Sequence, residues 1–248
     1  MKILAMDTST LVMGVAILEE NKVIGELMTN SHKKHSMRLM PAIDQLFQEL
    51  ELTIEDIDLL AVTKGPGSYT GIRIGVATAK TIAWAKQLPL YGISTLEVLA
   101  ENGYYFDGLV VPLIDARRER VYTGVYQRES DGLQPLLAPQ VLKIASLLDF
   151  LAEKPKPILF LGDDCEKYAE QIRSKLSTQA TFGTLVENIP RPSQLGYLAW
   201  KLWQKKVEPE KEDFAPDYLQ LTQAEVNWLN QQKNGGNDGN QNSKDDGI

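Results

Sequence analysis

Lys64–Gly75 reads KGPGSYTGIRIG, twelve residues holding four glycines (Gly65, Gly67, Gly71, Gly75) and one proline. The apolar run Ile57–Val62 before it reads as a buried strand, and the segment from about Thr70 to Leu88 reads as a helix. A strand, a glycine-rich turn and a helix N-terminus bring backbone N–H groups together, an arrangement suited to an anion. The stretch is not a Walker A loop, because no Gly-Lys-Ser/Thr follows, and it lacks the GxGxxG dinucleotide fingerprint. Two readings stand: a backbone cradle for phosphate through Gly65, Gly67 and Ser68, or a scaffold that launches a helix.

Upstream, Ile3–Met6 and Val12–Leu18 read as strands joined by Asp7-Thr8-Ser9-Thr10, and Lys22–Leu27 adds a third strand to the meander. From Ser36 to Leu50 the period turns helical, with Met37, Met40, Ile43, Phe47 and Leu50 on one face and Ser36 as N-cap. Pro41 falls unusually deep for a helix with that start. Downstream, Pro89–Ile93 reads as a strand, and Ser94 caps a helix over Thr95–Asn102 that Gly103 stops.

At Leu109 the opening pattern returns. Leu109–Ile114 is an apolar strand, Asp115–Arg120 a charged turn and Val121–Tyr126 a second strand. Both units read strand, aspartate (Asp7, Asp115), polar turn, then a strand with a glycine (Gly14, Gly124). That predicts two similarly built halves meeting near residue 100. The second half continues with a helix over Ser146–Glu153, the strand Ile158–Leu161, the turn Gly162-Asp163-Asp164, a helix to about Leu176 and another over Ser193–Lys205. Beyond about Asn230 the residues are almost exclusively Asn, Gly, Gln, Asp and Lys, which predicts disorder.

With 248 residues the chain has ample length for a core. One cysteine, Cys165, leaves no internal disulfide and fits a reducing cytoplasm. No apolar run approaches the roughly 20 residues of a membrane span, and the chain opens on a strand pattern rather than a secretory signal. The expectation is a cytoplasmic protein without a membrane partner. A net charge of −7 opposes unaided binding to nucleic acid, leaving only a local basic patch open.

Several side chains invite a chemical reading beside a structural one. Asp7 and Asp115 could orient a metal–phosphate group, or each could cap its own turn. His32 and His35 have HxxH spacing, but Lys33 and Lys34 oppose a cation there and no third ligand is near, so no metal site is expected. Cys165 reads as a buried thiol. Arg117, Arg118 and Arg120 offer a phosphate contact or a solvated hairpin tip. Two carboxylates after Gly162 would repel a phosphate. Gly71, Gly75, Ala79 and Ala83 recur every four residues, a stripe for close packing on a partner helix or on the protein's own sheet.

The motifs MDTST (Met6–Thr10), HSMRLMP (His35–Pro41), KGPGSYTGIRIG (Lys64–Gly75), IDARRERVYTGVY (Ile114–Tyr126) and PDYLQLTQAE (Pro216–Glu225) resemble, in order, those of the TsaB (YeaZ) family. The resemblance implies an α/β fold of two ribonuclease-H-like lobes, as in actin, sugar kinases and heat-shock chaperones. The expected division is an N-terminal lobe over 1–103, a C-terminal lobe over 104–230 and a polar tail over 231–248. It further implies a non-catalytic subunit in the making of threonylcarbamoyladenosine on tRNA. Such a subunit pairs with the transferase TsaD, joins the ATPase TsaE in a ternary complex and meets tRNA through that complex. Whether the chain forms a homodimer when alone is left open. No intrinsic cofactor is implied; ATP or ADP belongs to the assembled complex. Carried over onto this chain, the partner interface falls on Met37, Leu39, Met40 and Ile43 of one helix and on Tyr69, Thr70, Arg73, Val76, Ala77 and Lys80 of the next. Gln220 departs from the family pattern, which has an arginine after Tyr-Leu. The competing reading of the same fold is an ATP-dependent phosphotransferase or ATPase, served by Asp7, Asp115 and the glycine loop.

Overall fold

The computed structural model describes residues 1–31 and 33–219. His32, Gln220, the end of the last motif and the tail over 231–248 lie outside the described residues. In chain order the first sheet and its helices are β1 (Lys2–Asp7), β2 (Val12–Glu19), β3 (Lys22–Asn30), α1 (His35–Glu49), β4 (Leu59–Gly65), α2 (Tyr69–Lys86), β5 (Leu90–Ser94) and α3 (Thr95–Glu101). The second set is β6 (Leu109–Asp115), β7 (Arg120–Glu129), β8 (Gly132–Lys143), α4 (Ile144–Ala152), β9 (Ile158–Leu161), α5 (Cys165–Leu176), β10 (Ala180–Phe182) and α6 (Pro192–Gln204).

The sheets run β3-β2-β1-β4-β5 and β10-β9-β6-β7-β8, which is one strand order written in two directions. In each, three antiparallel strands form a meander and two parallel strands extend it past the first strand. The aspartates at the ends of β1 and β6 are therefore topological twins, as the repeated pattern predicts. β1 is buried on both faces and sorts its side chains with period two. Leu4 and Met6 join the core under α1 and α2, while Ile3 and Ala5 join the core under α6.

Three features depart from the sequence expectation. β8 falls in a stretch to which the sequence reading assigns no element; it holds Pro135 and Pro139 and lies at a sheet edge, where a strand tolerates the missing N–H. α1 starts at His35 with Lys34 as N-cap and no side-chain cap, so Ser36 is already helical; Pro41 sits inside the helix on its exposed face. Helix α6 follows the second sheet in sequence yet packs on β1 and β2 of the first. Glu26 of β3 holds its start, accepting from Ser193 N (3.0 Å), Ser193 Oγ (2.6 Å) and the Arg191 guanidinium. The chain then runs back along β5, with Glu210 N on Leu90 O (2.8 Å) and Phe214 buried in the core under α1 and α2. Among the described residues no helix is long and apolar enough to cross a membrane.

Candidate functional site

The glycine loop is folded onto its own chain. Ser68 N donates to Ser9 O (2.7 Å), and Ser68 Oγ caps α2 by accepting from Gly71 N (3.2 Å). Thr8 Oγ1 donates to Gly71 O (2.7 Å). The glycines let this first turn of α2 lie directly on the β1–β2 turn. A Cβ on Gly71 would stand 2.0 Å from Thr8 O, and one on Gly67, at φ +152°, would stand 2.1 Å from Ser9 O. Gly65 and Pro66 are buried beneath. Two donors that a phosphate cradle would present, Ser68 N and Gly71 N, are thus taken by Ser9 O and Ser68 Oγ, which fits the launching reading better than the cradle.

The twin aspartates have opposite surroundings. Asp7 is 1% exposed; its Oδ1 accepts from Ser9 N (2.7 Å) and Thr63 Oγ1 (2.8 Å). Burial pushes its carboxyl above the ordinary carboxylate range, against the pull of those bonds. Its Oδ2, like Ser9 Oγ and His35 Nδ1, is buried without a protein partner. Ser9 is fully enclosed and His35 Nε2 is held at Thr10 O (2.9 Å), so these groups form a closed polar knot rather than a nucleophile open to substrate. Asp115 is half-buried; it accepts from Arg117 N (3.0 Å) and Tyr168 Oη (2.6 Å) and pairs with Lys167 Nζ (2.6 Å). Partial burial works to raise its carboxyl, but the Lys167 and Tyr168 bonds outweigh that and hold it low. Its backbone N–H donates to Asp164 Oδ2 (2.8 Å), which assigns the acidic turn after β9 to the same structural knot. Neither carboxylate is arranged to hold a metal–phosphate group.

The predicted interface residues divide into two groups. Leu39, Ile43 and Val76 are 1%, 3% and 4% exposed and belong to the core under α1 and α2, so they are corrected from contact residues to packing residues. The stripe Gly71, Gly75 and Ala79 is likewise buried and serves the protein's own sheet and turn. On the surface stand Met37 (72% exposed) and Met40 (50%) of α1, and Tyr69, Thr70, Arg73 and Ala77 of α2. Arg73 lies over the Tyr69 ring, 4.0 Å from its centroid. Lys80 is half-buried and donates to Phe214 O (2.6 Å), tying α2 to the returning chain. Trp84, 73% exposed, extends the outer face of α2 by two turns beyond Ala77. Its place on that face was legible from the spacing 73, 77, 84, but its exposure was not.

Elsewhere, Cys165 is a buried free thiol packed in the second core, pushed up by burial and by the Asp164 and Asp163 carboxylates. Arg117 and Arg118 are exposed at a tight hairpin tip with φ of 63° and 52°. No group of three metal-ligating side chains occurs among the described residues.

Residues 22–228 match the family model of TsaD, tRNA N6-adenosine threonylcarbamoyltransferase. The chain is similar to the tRNA threonylcarbamoyladenosine biosynthesis protein TsaB of Bacillus subtilis, with 43% identity over 94% of this chain and 100% of that protein. It is 33% identical to the TsaB of Escherichia coli over 57% of this chain and 64% of that one. YeaZ from Pseudomonas aeruginosa superposes with a TM-score of 0.75 at 27% identity, covering 88% of this chain and 99% of that chain.

Proposed function

The chain belongs to the TsaB family of tRNA threonylcarbamoyladenosine biosynthesis proteins, and on that premise we propose that it is a non-catalytic scaffold that binds TsaD through the outer face of α1 and α2. One observation carries this reading. Met37 and Met40 on α1 and Tyr69 and Trp84 on α2 stand exposed, the small residue Ala77 is exposed on α2 as well, and the glycine loop before α2 is folded onto Thr8 and Ser9. Exposed methionine and aromatic side chains around a small residue suit a helix-on-helix contact, because they bury area while letting backbones approach. The loop fixes the angle at which α2 leaves the sheet. The proposed role is therefore positional: the chain holds TsaD in its competent arrangement and completes the surface that TsaE and tRNA meet. ATP or ADP enters with those partners.

The competing reading, an ATPase or phosphotransferase, loses support from the buried Asp7 and the Lys167-paired Asp115. The test is reconstitution of threonylcarbamoyl transfer with TsaD, TsaE, the threonylcarbamoyl-AMP synthase and tRNA, with and without this chain. The scaffold reading predicts loss of modification on omission and full activity from an Asp7→Asn variant. Restoration by wild type but not by Asp7→Asn, with the variant folded, would favour the enzyme.

A further inference from the structure

The tip of the β6–β7 hairpin gathers cations that the fold does not neutralise. Residues 117–120 read Arg-Arg-Glu-Arg, and β8 brings Lys143 into register directly opposite Arg120. Directly opposed residues on neighbouring strands share a face, so two like charges stand side by side, an arrangement that weakens a sheet. Tyr122, two residues along β7, and its partner Val141 continue that face, both half-buried. Arg117 lies within reach of the same face, since its charge and that of Arg120 both act on the Tyr122 hydroxyl. Among the described residues Arg117, Arg120 and Lys143 form no ion pair. The nearby carboxylates are engaged or lie to the other side. Asp115 is held by Lys167 and Tyr168 of α5, and Asp164 accepts from Asp115 N on the β9 side of β6, with Asp163 and Glu166 in the same turn and helix. Glu119, exposed, is the carboxylate within the tip.

The tip is also held in a costly shape. Arg117, Arg118 and Glu119 have φ of 63°, 52° and 55°, three successive left-handed residues without a glycine. Such residues are strained and as a rule occur singly. Arg120 N on Arg117 O (3.1 Å), Ala116 N on Arg120 O (2.8 Å) and Ile144 N on Glu119 O (2.9 Å) fix the turn to the end of β8. A chain of net charge −7 thus presents, at residues 117–120 and 143, four cations against one carboxylate on a fixed backbone. We propose that this tip contacts the phosphate backbone of an RNA, with Arg117, Arg120 and Lys143 each meeting a phosphate; that the RNA is tRNA rests on the function proposed above. A polyanion suits the tip better than a small anion, because successive phosphates satisfy several cations together and release their counterions. Contacts of this kind position a nucleic acid without reading its bases.

The test joins Arg117→Gln, Arg120→Gln and Lys143→Gln in one tip variant. Its control joins Lys22→Gln, Lys156→Gln and Lys175→Gln, an equal loss of charge at exposed lysines on other elements. Fluorescence anisotropy of labelled tRNA is followed against salt for the complex with TsaD and, at low salt, for the chain alone. The tip variant should weaken the complex at least tenfold near about 0.1 M salt and lower the slope of log affinity against log salt by about 2 to 3. It should also abolish the weak binding of the chain alone, while the control stays close to wild type in both. TsaD affinity, read by calorimetry, should be unchanged in the tip variant. Melting curves establish folding; should the triple variant fail, Lys143→Gln alone should lower the slope by about one. An affinity and slope indifferent to the tip, or an equal loss in the control, would overturn the assignment. Loss of TsaD or TsaE binding with tRNA binding intact would overturn it too, marking the tip as a protein contact. Failure of the wild-type chain to bind TsaD breaks the scaffold reading instead, and the low-salt measurement on the chain alone then decides the role of the tip.

Discussion

Helices α1 and α2 occupy the same places on the first sheet that α4 and α5 occupy on the second, yet the two pairs present opposite surfaces. α5 turns Glu166, Lys167, Glu170, Gln171, Ser174 and Lys175 to solvent, and neither α4 nor α5 exposes a large apolar side chain. α1 and α2 expose Met37, Met40, Tyr69 and Trp84. The fold therefore does not require an apolar outer face at this position, since one copy of it does without. The turns beneath differ in the same sense. Under α5 the knot is ionic, Asp115 with Lys167; under α2 it is steric, glycines seated on Thr8 and Ser9. What distinguishes the first lobe is thus a helix launched from a closed turn with exposed apolar side chains, the feature that the proposed contact with TsaD would use.

The largest expected effect comes from the close contacts. Gly71→Ala, whose Cβ would meet Thr8 O at 2.0 Å, and Gly162→Ala, whose Cβ would meet Leu113 O at 2.2 Å at φ +129°, should each destabilise the protein by about 3 kcal/mol in urea melts. Only Gly71→Ala should also weaken TsaD binding when both are measured well below their melting points, because only it displaces α2. Equal effects on binding would break the contrast between the lobes.

Next is the link between β3 and α6. Glu26→Ala strands the Ser193 and Arg191 donors and should cost about 1–2 kcal/mol. Desolvation acts to raise the Glu26 carboxyl, but the Arg191 and Ser193 bonds prevail and hold it below its ordinary value of 4.5. Its stabilisation is therefore present above that value and fades as pH falls through the lower folded value. The gap between wild-type and Glu26→Gln melting temperatures should shrink in acid accordingly.

The smallest effects have opposite signs in the twin aspartates. Asp7 has a raised folded pKa, so the native state holds its proton more tightly than the unfolded chain, and stability falls as pH rises above the unfolded value. Asp7→Asn should then raise stability at neutral pH by about 1 kcal/mol and gain nothing in strong acid. Asp115→Asn should lower stability slightly, only where Asp115 is ionised, and the loss should vanish in high salt because Lys167 is exposed. Paired melting curves across pH would read both; slopes of the same sign would contradict the closed and ionic turns described here.

Much of this architecture was legible in the sequence. β1, β4, β6 and β9 are continuous apolar runs because both faces of each are covered, and the Ser94 cap is realised in its bond from Leu96 N (3.3 Å). The repeat was legible from two aspartates at strand ends. What was not legible depended on rotation and on distant contacts. On α1 the buried line Leu39-Ala42-Ile43-Leu46 and the exposed Met37 and Met40 differ by a small turn about the axis, and both are apolar. Val76 and Ala77 are adjacent in sequence, yet the first is buried and the second exposed. That α6 returns to the first sheet, and that Phe214 enters its core, follows from tertiary packing that no local period encodes.

The most direct test of the partner face is calorimetric titration of TsaD with wild type, with Ala77→Glu on α2 and with Ser174→Glu on α5. Both positions are exposed, so both variants should fold as the wild type does. A buried carboxylate at a helix contact should weaken binding by about a hundredfold, roughly 2–3 kcal/mol, for Ala77→Glu. Ser174→Glu should leave it unchanged. An unaltered Kd in a correctly folded Ala77→Glu protein, or an equal loss in both variants, would contradict the assignment of that face to TsaD.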